Sequence, residues 1–466
     1  MKKLLPDLSK NIVFGNSLIG SDILDGQLFA TGEERKLNPM DFEDAFPAVM
    51  QDGGFDAIVG NPPYIQLSME AFRDEIANRY LKNTYKFSGG RLNTFAFFIE
   101  RARQKIREGG KFSYIVPNTV LSQEYYAGLR QKLIQQTDID VIATPNGQVF
   151  KDAVVETTVL VLTKHTRQKN EKPAGMVEFT ELKSTGAGGE HTAVPQSELA
   201  HNYNTSFITP FQPEVRSIRR KLEKCQGRLG DWLNVNQAIA LKYDRAACLT
   251  SSKKTAAHRE VLDGRNISRY LTGDSPNYFK FDLSKIHSCK REDIFLLPQK
   301  IFFRRVGDSL IGSIDTEQKY ALNTLVVISP KPECPYDLRY VLGLFNSQLL
   351  NFYYVKFLKS SKKVFSEIQA RQVEQLPFPL VSKSDATAKA QYKQVIAKVD
   401  AMLEAKQELM KAKLDKDKTY YENKCASLDL QIDRLVYSIY GLTDGEIKVV
   451  EQANRENRGK SSTDAR

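Results

Sequence analysis

Phe55-Asp-Ala-Ile-Val-Gly-Asn-Pro-Pro-Tyr64 decides how the first part of this chain folds. A short apolar run ends in glycine and meets two successive prolines, which cannot extend a strand's hydrogen-bond ladder. The reading is a strand that stops abruptly, with Asn61 to Tyr64 at its C-terminal end. Downstream, Phe95, Phe98, Ile99 and Ala102 recur at helical spacing, Gly109-Gly110 ends that helix, and Lys111 to Pro117 is the next strand. Tyr125 to Gln135 reads as another amphipathic helix and Val154 to Thr163 as a β-branched strand. Strands separated by helices predict an α/β domain over residues 1–170 with a mainly parallel sheet. Open sheets of this kind bind ligands at the C-terminal ends of their strands, where Asn61 lies.

An amide followed by a rigid carbonyl suits one kind of ligand group. The lone pair of an exocyclic amine on adenine is delocalised into the ring, so the nitrogen must become tetrahedral before it can attack an electrophilic methyl. The Asn61 side-chain oxygen and the Pro62 carbonyl can each accept one of its N–H bonds, which favours that change without a strong base. Consecutive prolines hold both acceptors in advance. Tyr64 offers a flat face for a base that has left its stack. The competing reading of Asn-Pro-Pro is a rigid turn without chemistry.

The stretch from Phe55 to Tyr64 resembles motif IV of the γ-class amino-methyltransferases, and the likeness continues in that family's order. Asn93-Thr-Phe-Ala-Phe-Phe-Ile-Glu100 is similar to the helix that follows, Gly109 to Pro117 to the next strand, and Tyr126 to Arg130 to the helix after it. Val149-Phe150 with Val154 to Leu162 resembles motif VIII, which implies that Phe150 sandwiches the target adenine opposite Tyr64. Asn11-Ile-Val-Phe-Gly-Asn-Ser-Leu-Ile-Gly20 resembles the strand and loop before motif IV in adenine methyltransferases of type IIG and related restriction-modification systems. That resemblance implies that Asn16, Ser17 and Asn61 border S-adenosylmethionine, and that the reaction is methylation of adenine N6 in a specific DNA sequence.

The family's glycine-rich cofactor motif belongs upstream of Asn16, and no equivalent turn occurs downstream. The expectation is an incomplete Rossmann-like sheet, open where the family's first two strands would insert, with unpaired edges and exposed apolar side chains. An N-terminal partner polypeptide or a missing segment is then expected to complete the cofactor site. No nuclease signature precedes the methylase part.

Beyond residues 171–230, read as a connector around Gly186 to Gly189, the pattern changes to short strands with many aromatic and basic side chains. Residues 231–380 resemble the specificity domain of the same enzymes through Leu262 to Tyr270, Pro298 to Arg305, Leu342 to Gln348 and Leu376 to Pro379. Arg265, Arg269, Lys300, Arg304, Arg305, Lys362 and Lys363 are the candidate contacts to double-stranded DNA. Tyr392, Val395, Val399, Met402 and Leu409 form one helical stripe, and Cys425, Leu428, Ile432 and Leu435 another. The charged run Lys413 to Lys418 between them predicts a helical hairpin within residues 381–451, and residues 452–466 read as a disordered tail. The formal net charge of +11 over 466 residues favours a polyanionic partner. Five scattered cysteines and five scattered histidines suggest neither a disulfide framework nor a metal site, and the expected setting is cytoplasmic, away from membranes. Two other functions stay open: a catalytically silent DNA-specificity subunit, and methylation of RNA adenine or protein glutamine.

Overall fold

The structure, a computed structural model, describes residues 11–24, 34–67, 75–87, 93–145, 156–168, 171–183, 188–225, 227–359, 367–382 and 384–463. They form two compact units, Met1–Phe211 and Gln212–Arg466. In the first, strand β1 (Phe55–Gly60) is followed by helices α1 (Glu75–Thr84) and α2 (Thr94–Lys105). Then come β2 (Ile106–Pro117), α3 (Ala127–Gln136), β3 (Thr137–Pro145), β4 (Thr157–Lys164), β5 (Met176–Leu182) and β6 (Gly188–Pro195). The sheet order is β1-β2-β4-β3-β5-β6. The β1–β2 and β3–β5 pairs are parallel, whereas β2–β4, β4–β3 and β5–β6 are antiparallel. The sheet is therefore mixed rather than mainly parallel, because β4 inserts between β2 and β3 and runs against both. Phe95 and Ile99 from α2 and Leu129 and Leu133 from α3 pack on Phe112, Val116, Ile139, Leu160 and Leu162 of the strands. That burial of large apolar side chains is the main force holding helices to sheet.

β1 lies at one end of this order, as the incomplete-sheet expectation requires. Val59 on it is 84% exposed. Residues 12–14, expected as a strand, form none: Ile12 and Phe14 stand 73% and 93% exposed. An apolar segment with no strand beside it among the described residues has no ladder to join there, so its β propensity is not expressed. Residues 171–230 are also more than a connector. They supply β5 and β6 to the first sheet and α4 (Pro213–Glu223) to the second unit.

The second unit contains an antiparallel sheet of β7 (Leu233–Gln237), β12 (Lys300–Arg304), β13 (Gly312–Asp315) and β15 (Leu325–Pro330), in the order β13-β12-β15-β7. Beside it, β9 (His258–Leu262) pairs with β10 (Tyr278–Lys280) and β14 (Tyr320–Ala321), and β8 (Ala240–Leu241) pairs with β11 (Ile286–Ser288). Ile239, Leu262, Phe279, Phe295, Phe302 and Val327 fill their shared core. Helices α5 (Leu338–Asn346) and α6 (Gln348–Tyr353) follow, then a hairpin of α7 (Ala386–Lys411) and α8 (Asp415–Ile439). Val395, Val399 and Met402 of the first sequence stripe and Cys425, Leu428 and Ile432 of the second are buried, whereas Tyr392, Leu409 and Leu435 are only half-buried. Ala405, Asp433, Val436 and Tyr437 are buried outside the stripes. Gly343 lets α5 approach α7, since a Cβ there would lie 2.7 Å from Val395 Cγ1. After Gly441, in a left-handed conformation (φ 66°), α9 runs from Asp444 to Thr463. Residues 452–463 are therefore helical, not a disordered tail: buried Asn454 donates to the Gln348 carbonyl and accepts from Asn351, which anchors α9 to α6. No helix among the described residues is long and apolar enough to cross a membrane.

Candidate active site

β1 pairs in parallel with β2 up to Gly60, opposite Tyr114. Gly60 has no room for a side chain, because a Cβ would lie 2.7 Å from the Tyr114 ring. The chain then leaves the sheet through Asn61, which is exposed, and Pro62, which is buried. The Tyr64 hydroxyl lies 3.0 Å from the Ile115 carbonyl oxygen and 3.2 Å from Asn61 Oδ1, and donates to them. The Tyr64 ring meets Phe95 edge-on at 6.3 Å. Burial pushes the Tyr64 hydroxyl pKa above its usual value, so it remains a donor at neutral pH. Either acceptor can take its single proton, and bonding to Ile115 leaves the Asn61 amide oxygen free for another donor.

Thr94 completes the loop, and sequence reasoning missed it. Its hydroxyl donates to the Pro63 carbonyl at 2.5 Å and accepts from Ile65 N at 3.1 Å, while its backbone N–H donates to the Ile65 carbonyl at 2.9 Å. Asn93 caps α2 by accepting from Phe95 N. The four residues at the end of β1 are thus stapled to the N-terminus of α2. The legible signal was Asn-Thr at a helix start, a frequent capping pair, but the partner 29 residues upstream could not be read from spacing.

Asn16 and Ser17 lie on the turn that precedes β1 in sequence. Asn16 is occupied with local bonds: its N–H donates to the Asn38 carbonyl and its Oδ1 accepts from Leu18 N. Leu18 O accepts from the Tyr85 hydroxyl and from Arg101, which fixes the turn against α1 and α2. Ser17 lines a cleft of about 300 Å³ with Phe42, Phe55, Ile58, Val59 and Phe98. The structure brings Ser17 to β1 but shows no contact between Asn16 and Asn61. Phe150, Lys362 and Lys363 lie outside the described residues.

The cations expected to meet DNA are mostly engaged inside the second unit. Lys300 is a correction: it is fully buried, donating to Asp315 at 2.5 Å and to the Phe295 carbonyl at 2.7 Å, so it cannot reach a phosphate. Desolvation lowers its pKa, and the Asp315 carboxylate opposes that shift. Arg269 is paired with Asp429 of α8, and Arg304 donates to the Ile267 carbonyl. Arg305 pairs with Glu367. Arg265 is exposed but bonded to Asp263, which also accepts from Arg245. The Arg265 guanidinium, helped by Arg245, holds the Asp263 carboxyl down at about 2 against the opposing effect of burial. Among the described residues no group of His, Cys, Asp and Glu could hold a metal ion.

Residues 4–150 match the model of the Eco57I restriction-modification methylases, and residues 259–378 match the TaqI-like C-terminal specificity domain. A putative type II restriction enzyme and methyltransferase of Methanocaldococcus jannaschii is 25% identical over 418 residues, covering 88% of this chain and 33% of that protein. The type II restriction enzyme and methyltransferase Eco57I of Escherichia coli is 32% identical over 163 residues, 34% of this chain and 15% of that protein. A type II methyltransferase of Thermus thermophilus is 23% identical over 344 residues, 71% of this chain and 73% of that protein. The chain thus spans about a third of the first of these relatives. The solved complex of the type IIL restriction-modification enzyme MmeI with DNA aligns over 91% of this chain and 59% of its own, at 12% identity and a TM-score of 0.49. The chain therefore carries an Eco57I-type restriction-modification methylase segment followed by a TaqI-like specificity domain.

Proposed function

We propose that this chain is the base-holding and DNA-reading part of a site-specific adenine-N6 DNA methyltransferase of a restriction-modification system, with S-adenosylmethionine as methyl donor. The observation that carries the reading is Asn61-Pro-Pro-Tyr64 at the C-terminal end of β1, with the Asn61 amide exposed and the loop clamped by Thr94. Asn61 Oδ1 and the Pro62 carbonyl accept from the amine of a flipped adenine, and Tyr64 stacks on it, with Phe150 assigned to the opposite face. Residues 1–170 are assigned to methyl transfer, 231–380 to target recognition and 381–451 to the helical hairpin.

S-adenosylmethionine would supply the electrophilic methyl. The cleft beside Ser17 can wall one face of a flat ring, and the two cations that line it are engaged, Arg101 with the Leu18 carbonyl and Lys105 with Glu43. The chemistry assigned to the described residues is therefore holding the target base. The rest of the cofactor site is assigned to a polypeptide segment that pairs with the outer edge of β1, where Val59 is exposed.

The test is methyl transfer to duplex DNA by the assembled enzyme, with single-stranded RNA and protein acceptors in parallel. Asn61→Ala should lower kcat by about a hundredfold or more, the scale of losing one transition-state acceptor, while DNA affinity stays unchanged. Methylation that survives this substitution would refute the pocket and favour a silent specificity subunit.

A further inference from the structure

The cations proposed from sequence as DNA contacts are largely neutralised within the fold. A second set is not. Lys242, Lys253, Lys254, Lys280 and Lys285 have no acidic partner within ion-pair distance among the described residues, and four of the five are exposed, with Lys285 half-buried. They are far apart in sequence, but strand pairing brings them together in two groups around one core. Leu241 of β8 lies opposite Ile286 of β11, and Lys242 N donates to the Lys285 carbonyl at 2.9 Å. Lys280, at the end of β10, lies opposite His258, at the start of β9. The loop carrying Lys253 and Lys254 enters β9 directly, and its first residue, Thr250, exchanges backbone hydrogen bonds with Tyr278.

Acidic groups on the same stretch do little to offset this charge. Asp282 is the exception: its Oδ1 accepts from Ser284 N and Oγ, and Lys285 and Lys280 lie near enough to help lower its carboxyl pKa. One carboxylate thus stands among the five lysines, while Asp244 precedes the short helix at Arg245. Tyr243, 62% exposed, stands beside Lys242 and adds a flat amphipathic surface. Lysines are compact point charges suited to phosphate oxygens, and a gathered, unpaired set held on a strand framework fits a polyanionic backbone.

We propose that Lys242, Lys253, Lys254, Lys280 and Lys285, with Tyr243, form the surface that tracks the phosphate backbone of duplex DNA. This rests on the DNA-methyltransferase reading above and assigns its phosphate contacts to these lysines rather than to the arginines singled out in the sequence, which are bonded within the fold. Phosphate contacts fix the register of a protein on the duplex and carry no sequence information, so they can be tested without knowing the target site.

The experiment measures binding of the full 466-residue chain to a random-sequence 30-base-pair duplex across a series of salt concentrations. Lys242→Gln/Lys280→Gln/Lys285→Gln should lower the slope of log affinity against log salt by about 2 to 3, at about 0.9 per lost phosphate contact. The corresponding triple arginine variant should keep the original slope. Lys413→Gln/Lys416→Gln, at the exposed hairpin tip, is the control and should leave the slope unchanged. An unchanged slope in the glutamine triple variant, or an equal loss in the control, overturns the assignment of this face. Failure of the unaltered chain to bind duplex DNA, or tighter binding to single-stranded RNA, overturns the functional reading itself and the assignment with it.

Discussion

At the scale of single residues, chemistry-bearing positions were legible where the backbone itself imposes the geometry. Asn61 and Pro62 could be singled out because two prolines fix their own dihedrals whatever surrounds them. Thr94 could not, because its role depends on a helix start arriving beside Pro63 and Ile65. Its removal is informative. Thr94→Val keeps the shape but strands the Ile65 N–H and frees the Pro63 carbonyl. It should lower kcat of the assembled enzyme by about tenfold while leaving DNA affinity near its original value, consistent with a loss of about 1 to 2 kcal/mol of positioning. Steady-state methyl-transfer kinetics separate that outcome from a binding defect. Tyr64→Phe is expected to be milder, since the ring and its edge contact with Phe95 persist and only the hydroxyl bonds to Ile115 and Asn61 are lost.

At the scale of elements, helices were read more faithfully than strands. The hairpin of α7 and α8 carries its own signal, an apolar stripe at helical spacing on each arm, and most of each stripe is buried. The strand expected at residues 12–14 depended on a neighbour, and without one its side chains stand in solvent. Lys300 shows the same dependence in charge. In sequence it is one cation in a basic run; on β12 it pairs across to β13, where it is buried against Asp315. Lys300→Met should therefore destabilise the second unit by about 3 to 5 kcal/mol, because it leaves a buried carboxylate unpaired. Urea denaturation measures the loss, and the folded protein should bind DNA with its salt slope intact. Gly343→Ala tests the approach of α5 to α7. Its methyl would meet Val395 and Val399, and overpacking of this kind typically lowers stability by about 1 to 3 kcal/mol.

At the scale of the whole molecule, the titration of a few buried carboxylates sets how stability varies with pH. Burial pushes the Asp433 carboxyl up to about 6, although it accepts from Gln348 N and Nε2. A carboxyl whose folded pKa lies above the unfolded value of about 3.9 stabilises the fold below that value, and the contribution is lost as pH rises to about 6. Asp263, held at about 2 chiefly by Arg265, has the opposite sign: its contribution is present above about 4 and is lost as pH falls toward 2. Asp433→Asn should therefore flatten the dependence of melting temperature on pH between about 4 and 6. A parallel pH series of thermal melts on both proteins checks it. By itself the sequence determined the α/β class of the first part, the stop at Asn61 to Tyr64 and the helical hairpin, because each rests on local backbone chemistry or on a period within one element. Only the tertiary structure decided which strands run parallel, which cations are neutralised and which lysines strand pairing brings together. Those outcomes depend on residues tens to hundreds of positions apart becoming neighbours, and no local pattern in the chain encodes that distance.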